Sequence, residues 1–415
     1  MSRGASVFVT ALLLAWAMIS SAEAEDFAPS SHVGPHARFY QDARERNLLP
    51  THPVRPGRLA RAKAASELSG EVLAFYPYWS SADPADLRYE LLTTVAYFGA
   101  DLGSTGEFTN MNGWPDGDLI DEAHAAGVGV ALTVVNFSAS SMTTLLSSAL
   151  NRANAVDNIV SAVADAGADG VNIDFEGLPF AQKANFIAFL AELRTALDDA
   201  LGSGHISVDM PAVDWAGAYD FDKIAEQADF LFVMAYDYHW SGGDPGPVAP
   251  LYDDGPWNYA VRWTLDDYET YIAPYDLSSV VLGLPLYGYL WPSVDGTVPG
   301  TATGAGSAVI LATADSYADD PAKGPRLFDD DAQSPYLTYQ SGGWYQLWYE
   351  DADSLALRFE YAKTRGTAGV GFWALGYAGS EHPMWDELDA AYTVPPGDDD
   401  DDDDTGGGCG GNAFF

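Results

Sequence analysis

A chain of 415 residues, 47% of them apolar, is long enough for one large domain or two ordinary ones with a substantial core. A formal charge of −41, from 60 acidic against 19 basic residues, argues against a nucleic-acid partner and against attraction to anionic membranes, both of which need clustered cations. Cys409 is the single cysteine, so no intrachain disulfide can form and packing must supply the stability. The acidic surplus fits either a solvated acidic surface or saline surroundings, where ions screen the repulsion.

Residues 1–24 read as an export signal. Arg3 gives a positive start, VFVTALLLAWAMI is a short apolar run, and the small residues at 22–24 suit cleavage. The run is too short and wrongly flanked to span a bilayer. The mature chain is therefore expected to begin near Glu25 and to be secreted, cell-surface or periplasmic, without membrane insertion and as a monomer. Residues 25–69, rich in Pro, Arg and His, show no clear periodicity and read as an N-terminal arm or linker. A short helix is expected over RLARAKAASELS, residues 58–69.

From residue 70 the texture changes. Apolar runs recur at residues 71–79, 93–102, 129–137, 170–178, 206–213, 230–240, 280–291 and 369–378. Most are nearly continuous in apolar residues, as parallel strands buried on both faces require. Helical patterns over 116–127, 154–167, 181–202 and 351–366 lie between them. Repeated strand–helix alternation predicts an α/β fold, a (β/α)8 TIM barrel over residues 70–393, with a doubly wound open sheet as the runner-up. Between strand 7 and strand 8, residues of about 292–350 form an insertion of small α+β or β-hairpin type. Its hairpin is expected over 335–351, turning at 341–343, as a lid or wall beside the mouth. Residues 394–415, with an aspartate run at 398–404, read as an acidic, glycine-rich disordered tail.

One segment, ADAGADGVNIDFEGLPF at residues 164–180, carries chemistry. Asn172, Asp174 and Glu176 alternate there with Val171, Ile173 and Phe175. In a strand such alternating side chains share one face, successive ones ~7 Å apart. Gly177 and Pro179 end the strand, which puts Glu176 at the rim of a barrel and Asp174 one layer below. Two carboxylates so close resist joint ionisation, so one should hold its proton and serve as an acid. The plain alternative is an edge strand with a wet polar face. The seven histidines show no ligand spacing, so no metal and no cofactor is expected.

DGVNIDFEG, residues 169–177, resembles the D-G-x-D-x-D-x-E signature of glycoside hydrolase family 18, the chitinase family. Asp169, Gly170, Asp174 and Glu176 match, and Asn172 replaces the middle aspartate. MAYDYHW, residues 234–240, is similar to the family's M-x-Y-D element through Met234, Tyr236 and Asp237. GVGFWALGY, residues 369–377, resembles its eighth strand, and the aromatic start FYPYW at 75–79 fits as well. The family's S-x-G-G element is absent from the third strand, where TVVNF stands at 133–137. That absence and Asn172 look like the branch of spore-cortex and cell-wall N-acetylglucosaminidases.

The resemblance implies substrate-assisted hydrolysis of β-1,4 bonds in a polysaccharide containing N-acetylglucosamine (peptidoglycan, chitin or a glycoprotein glycan) with retained configuration. It casts Glu176 as the acid, Asp174 as the group orienting the substrate's acetamido, and Tyr236 as a donor to that acetamido. Asn172, Asp237, Met234, Trp373, Tyr76 and Trp79 are the implied sugar-contacting residues. A sugar-binding barrel of lectin type, with weak or no turnover, is the alternative.

Overall fold

The computed structural model describes residues 33–61 and 68–394. The expected export signal lies outside them, as do residues 395–415 of the expected tail. A nine-stranded sheet forms first: β1 (Glu71–Pro77), β2 (Thr94–Leu102), β3 (Phe108–Asn110), β4 (Gly129–Asn136), β5 (Gly170–Phe175), β6 (His205–Pro211), β7 (Phe230–Met234), β8 (Val280–Pro285) and, late in the chain, β14. Strand β14 is Gly369–Trp373, preceded by the insertion strands β9 to β13 given below.

Around the ring β1, β2, β4, β5, β6, β7, β8 and β14 pair in parallel, and β14 pairs back with β1. The short β3 hangs antiparallel on β2. Closure leaves no edge for the polar alternation of β5 to sit on, so the eight-stranded TIM barrel holds and the open sheet does not. The strands are buried almost throughout, β4, β5, β8 and β14 at every residue.

Helices pack outside the ring in the order the apolar period demands. They are α2 (Gly117–Ala125), α3 (Ala139–Ser147), α4 (Ala149–Ala166), α5 (Lys183–Leu201), α6 (Phe221–Ala225), α7 (Val261–Tyr271), α9 (Ala352–Arg365) and α10 (Met384–Tyr392); α8 (Leu311–Ala318) belongs to the insertion and packs on its strands, and an arm helix α1 (Pro35–Glu45) precedes them all. Their ends carry local signals. Asp116 caps α2 by accepting from the N–H groups of Asp118 and Leu119. Asp351 and Ser354 form a reciprocal capping box on α9, and Gly366, at φ 72°, ends it.

Two of the expected strands, β7 and β8, stop about halfway along their apolar runs. The run 280–291 breaks at Leu286, whose N–H turns to the Trp373 carbonyl at 2.7 Å. The chain there leaves the barrel for a second sheet. Its strands are β9 (Tyr287–Ser293), β10 (Ser307–Ile310), β11 (Leu327–Asp329), β12 (Ser334–Gln340) and β13 (Trp344–Trp348), antiparallel in the order β10-β9-β13-β12-β11. The expected hairpin is β12 and β13, paired from Tyr336↔Trp348 to Gln340↔Trp344. The run 230–240 stops being a strand at Met234, because Ala235 and Tyr236 donate back to the carbonyls two residues earlier, both at 2.8 Å.

The arm departs further from expectation. Residues 35–45 form α1 across the barrel mouth, in a stretch read as lacking periodicity. Pro35 presets the first turn, and Pro35, His36, Ala37, Tyr40 and Ala43 are its buried side. The arm then runs down the barrel wall. Gly57 donates to the Ala166 carbonyl at 2.9 Å, and Arg55 pairs with Asp121 at 2.8 Å and with Asp118. Of the helix expected over 58–69, residues 58–61 are not helical and 62–67 lie outside the described residues.

Arg358 on α9 pins the insertion to the barrel. It is fully buried, 3.0 Å from the equally buried Glu350, and donates to the carbonyls of Ala249, Gln333 and Ser354 and to the Ser334 hydroxyl. Removing one partner of such a pair strands the other charge away from water. Arg358→Met is expected to cost about 3–5 kcal/mol in urea unfolding. Glu350→Gln should cost less, because the guanidinium keeps its other acceptors; an equal or larger loss would refute this ranking.

Candidate active site

Strand β5 turns Asn172 and Asp174 into the barrel and packs Phe175 against α5, stacked on Phe189 at 5.7 Å. Glu176 follows the last strand residue, and Gly177, at φ 71°, leads the chain away. Asp174 and Asn172 are fully buried, and Glu176 is 6% exposed. From β7 the two tight turns bring Tyr236 inward, and Asp237, at φ 61°, sits beside it. Tyr287 and Tyr289, on β9 of the insertion, donate to the Asp237 carboxylate at 2.5 and 3.2 Å.

The N-terminus of α1 lies among these groups. The His36 ring is 3.1 Å from Asp174, 3.3 Å from Asp209 on β6 and 2.6 Å from the Tyr236 hydroxyl. It stacks on Trp373 with 4.0 Å between centroids and 25° between planes. The N–H groups of His36 and Ala37 donate to the two oxygens of Glu176 at 3.0 and 3.1 Å. Arg38 pairs with Asp237 at 2.5 Å.

Burial alone would lower the His36 pKa, but Asp174 and then Asp209 outweigh it, and it stands at about 10. The ring is thus an imidazolium donating from both nitrogens. Burial, with Asp174 second, pushes Glu176 up to about 8, against the pull of His36 and the two amides. Burial, again with Asp174 second, pushes Asp209 up to about 7. Asp174 is raised by burial and held back by His36.

The other expected residues divide into those facing the mouth and those that do not. Met234, Tyr236, Asp237 and Glu176 line a cavity of about 280 Å³ that also meets Gly34 and Pro35 of the arm. Trp373 forms the floor under His36. Trp79 is half-buried, its ring 6.2 Å from that of Trp373. Asn172 lies beneath, donating sideways to Ser207 at 3.0 Å and Asp209 at 2.8 Å. Tyr76 is a correction. Neighbours on a strand face opposite ways, so Phe75 points inward, 4.8 Å from the His36 ring, and Tyr76 points out, donating to the Ala82 carbonyl at 2.7 Å.

Asp209, His36 and Arg38 were not singled out from the sequence. For Asp209 the signal existed: Ser207 and Asp209 alternate within an apolar run as Asn172 and Asp174 do. For α1 the signal was Pro35 followed by a helical spacing of His36, Tyr40 and Ala43. Two groups among the described residues bring three possible ligand atoms within 4.8 Å, His36–Asp174–Asp209 and His52–Asp116–Asp118. In the first group, hydrogen bonding and charge pairing between an imidazolium and two carboxylates account for the geometry.

A family model for glycosyl hydrolases family 18 matches residues 71–378. Bacillus subtilis (strain 168) YdhD, named as a sporulation-specific glycosylase, is 28% identical over 297 residues, 68% of this chain and 66% of that protein. The cortical fragment-lytic enzyme of Bacillus anthracis is 26% identical over 249 residues, 58% of this chain and 54% of that protein. The chain thus spans between 54% and 66% of the length of these relatives. The Group IV chitinase of Ostrinia furnacalis shares the fold, with a TM-score of 0.69 and 16% identity over 78% of this chain and 99% of that one.

His36 binds its proton more tightly in the assembled site, at about 10 against the ordinary 6.5. Its contribution to stability is therefore complete below pH 6.5 and lost as pH rises through about 10. Asp209 and Glu176, also raised, act in the same sense at lower pH. The melting-temperature gap between the parent and His36→Ala should narrow steadily across that window. A gap that stays constant from pH 6 to 10 would show that the imidazolium charge contributes nothing.

Proposed function

The chain belongs to glycosyl hydrolase family 18, and from that premise we propose that it is an exported, retaining glycosidase acting on polymers that contain N-acetylglucosamine. Glu176 would protonate the glycosidic oxygen while the substrate's acetamido oxygen attacks the anomeric carbon. Asp174 would accept the acetamido N–H and balance the positive charge that develops on the resulting five-membered ring. Tyr236 would donate to the acetamido oxygen, and Asp237 would hold the sugar at the cleavage point. Glu176, then ionised, takes a proton from the incoming water, and the configuration is retained.

One observation carries this reading: a single planar five-membered ring, that of His36, reaches Asp174 and Tyr236 at once above Trp373. Groups that can address one such ring together have the spacing a cyclising acetamido needs. Asn172 cannot share a proton with Asp174, but it does hold Asp209 in place beside it. Cell-wall glycan is the favoured polymer, on the likeness to a cortical fragment-lytic enzyme and a sporulation-specific glycosylase. Export rests on the apolar N-terminal run and its flanks.

The test is digestion of purified peptidoglycan and of chitin oligomers, reading new reducing ends and their anomeric form. Glu176→Gln should slow release by about 10²–10⁴-fold, with the β-anomer formed first by the parent. Oligomers bound but never cut would replace the hydrolase with a lectin.

A further inference from the structure

The barrel closes without its arm. Strand β1 pairs with β2 and β14, and α1 contributes no strand. Yet α1 occupies the middle of the mouth. On one side lies the cavity of about 280 Å³ at Glu176 and Tyr236, walled by Gly34 and Pro35. On the other lies a hollow of about 650 Å³ beside Asp101, Asn136 and Phe137, walled by Tyr40 and Arg44. Arm residues thus wall both hollows, at the C-terminal ends of the strands, where barrel enzymes receive substrate.

The contacts are those of a ligand. Both oxygens of Glu176 accept arm amides, so neither is free to deliver a proton to a leaving group. The His36 ring is flat, five-membered and cationic, with one N–H facing Asp174 and the other facing Tyr236. Arg38 neutralises Asp237 and lies over Trp240, 4.3 Å from the ring centroid. The approach is also close: a Cβ on Gly34 would lie 2.0 Å from a Glu176 oxygen.

We propose that residues 34–46 are a tethered inhibitor of the cleft, with His36 standing where the substrate's cyclised acetamido would stand, so that the intact chain is a latent hydrolase. The ligand class this assigns to the site is a peptide presenting a protonated imidazole at a helix N-terminus, with a guanidinium two residues on. The inference rests on the glycosidase reading above. A tether holds such a peptide at an effective concentration of roughly millimolar, so an affinity of 10–100 µM for the free peptide gives about 10–100-fold suppression. Severing the chain between α1 and β1, or outcompeting the arm with a long glycan, would relieve it.

The test uses the full chain. Gly34 has φ −62° and ψ 162°, which alanine adopts freely, so Gly34→Ala disturbs the seat on Glu176 rather than the backbone. Gly34→Ala, His36→Ala and the two together are compared with the parent for reducing-end release from chitin oligomers and peptidoglycan. Hydrogen exchange at the amides of residues 36 and 37 reports the position of the arm. The expected result is slow exchange in the parent, fast exchange in the paired variant, and a rate at least about tenfold higher. A synthetic peptide of residues 34–46 should then suppress that variant competitively. Fast exchange in the parent, or a paired variant cleaving no faster than a parent that does cleave, overturns the inhibitor and leaves the glycosidase standing. No cleavage by any variant despite fast exchange overturns the glycosidase and the inhibitor with it.

Discussion

Three carboxylates, those of Asp174, Glu176 and Asp209, are buried together at one end of a closed barrel, and their mutual repulsion is the constraint the rest of the mouth answers. Isolated charges in such surroundings either find partners or keep their protons. Here they find one imidazolium and two backbone amides from a single turn of helix, with the Asn172 amide added on Asp209. The helix end is suited to the task, because its first N–H groups have no partners of their own and carry the positive end of the helix dipole. Gly34 offers no side chain to cap them, and Glu176 takes that role.

The scaffold explains why these groups can be held so close. Parallel strands closed into a ring bring their C-terminal ends to one rim, and β5, β6, β7 and β14 each send one or more polar or aromatic residues there. The insertion adds a wall. Its first strand delivers Tyr287 and Tyr289 to Asp237, and Arg358 and Glu350 fasten the sheet where it rejoins the barrel. The barrel's carboxylates, the insertion's tyrosines and the arm therefore meet at one place.

Much of the fold was legible locally. Apolar runs buried on both faces, separated by helical periods, specify a parallel barrel with few alternatives, and seven of the eight barrel strands lie within those runs, β6 starting one residue earlier at His205. Boundaries were less legible. The run 280–291 contains two strands because Leu286 finds its acceptor on Trp373, far along the chain. The run 230–240 ends early because backbone turns outcompete the ladder. At the mouth, alternation correctly grouped Asn172, Asp174 and Glu176, yet the aromatic start of β1 drew attention to Tyr76 when its neighbour Phe75 was the one facing inward.

Alternation and motif spacing alone determine that an acid pair lies on one face of a buried strand that ends at a glycine. They act over a few residues, and the side-chain period of two transmits them without outside help. That His36 joins this pair across 138 residues of chain was decided only in three dimensions. Its partners come from six different strands and one turn, and no local period links them. What selects the imidazole is the summed field of carboxylates that become neighbours only when the barrel closes.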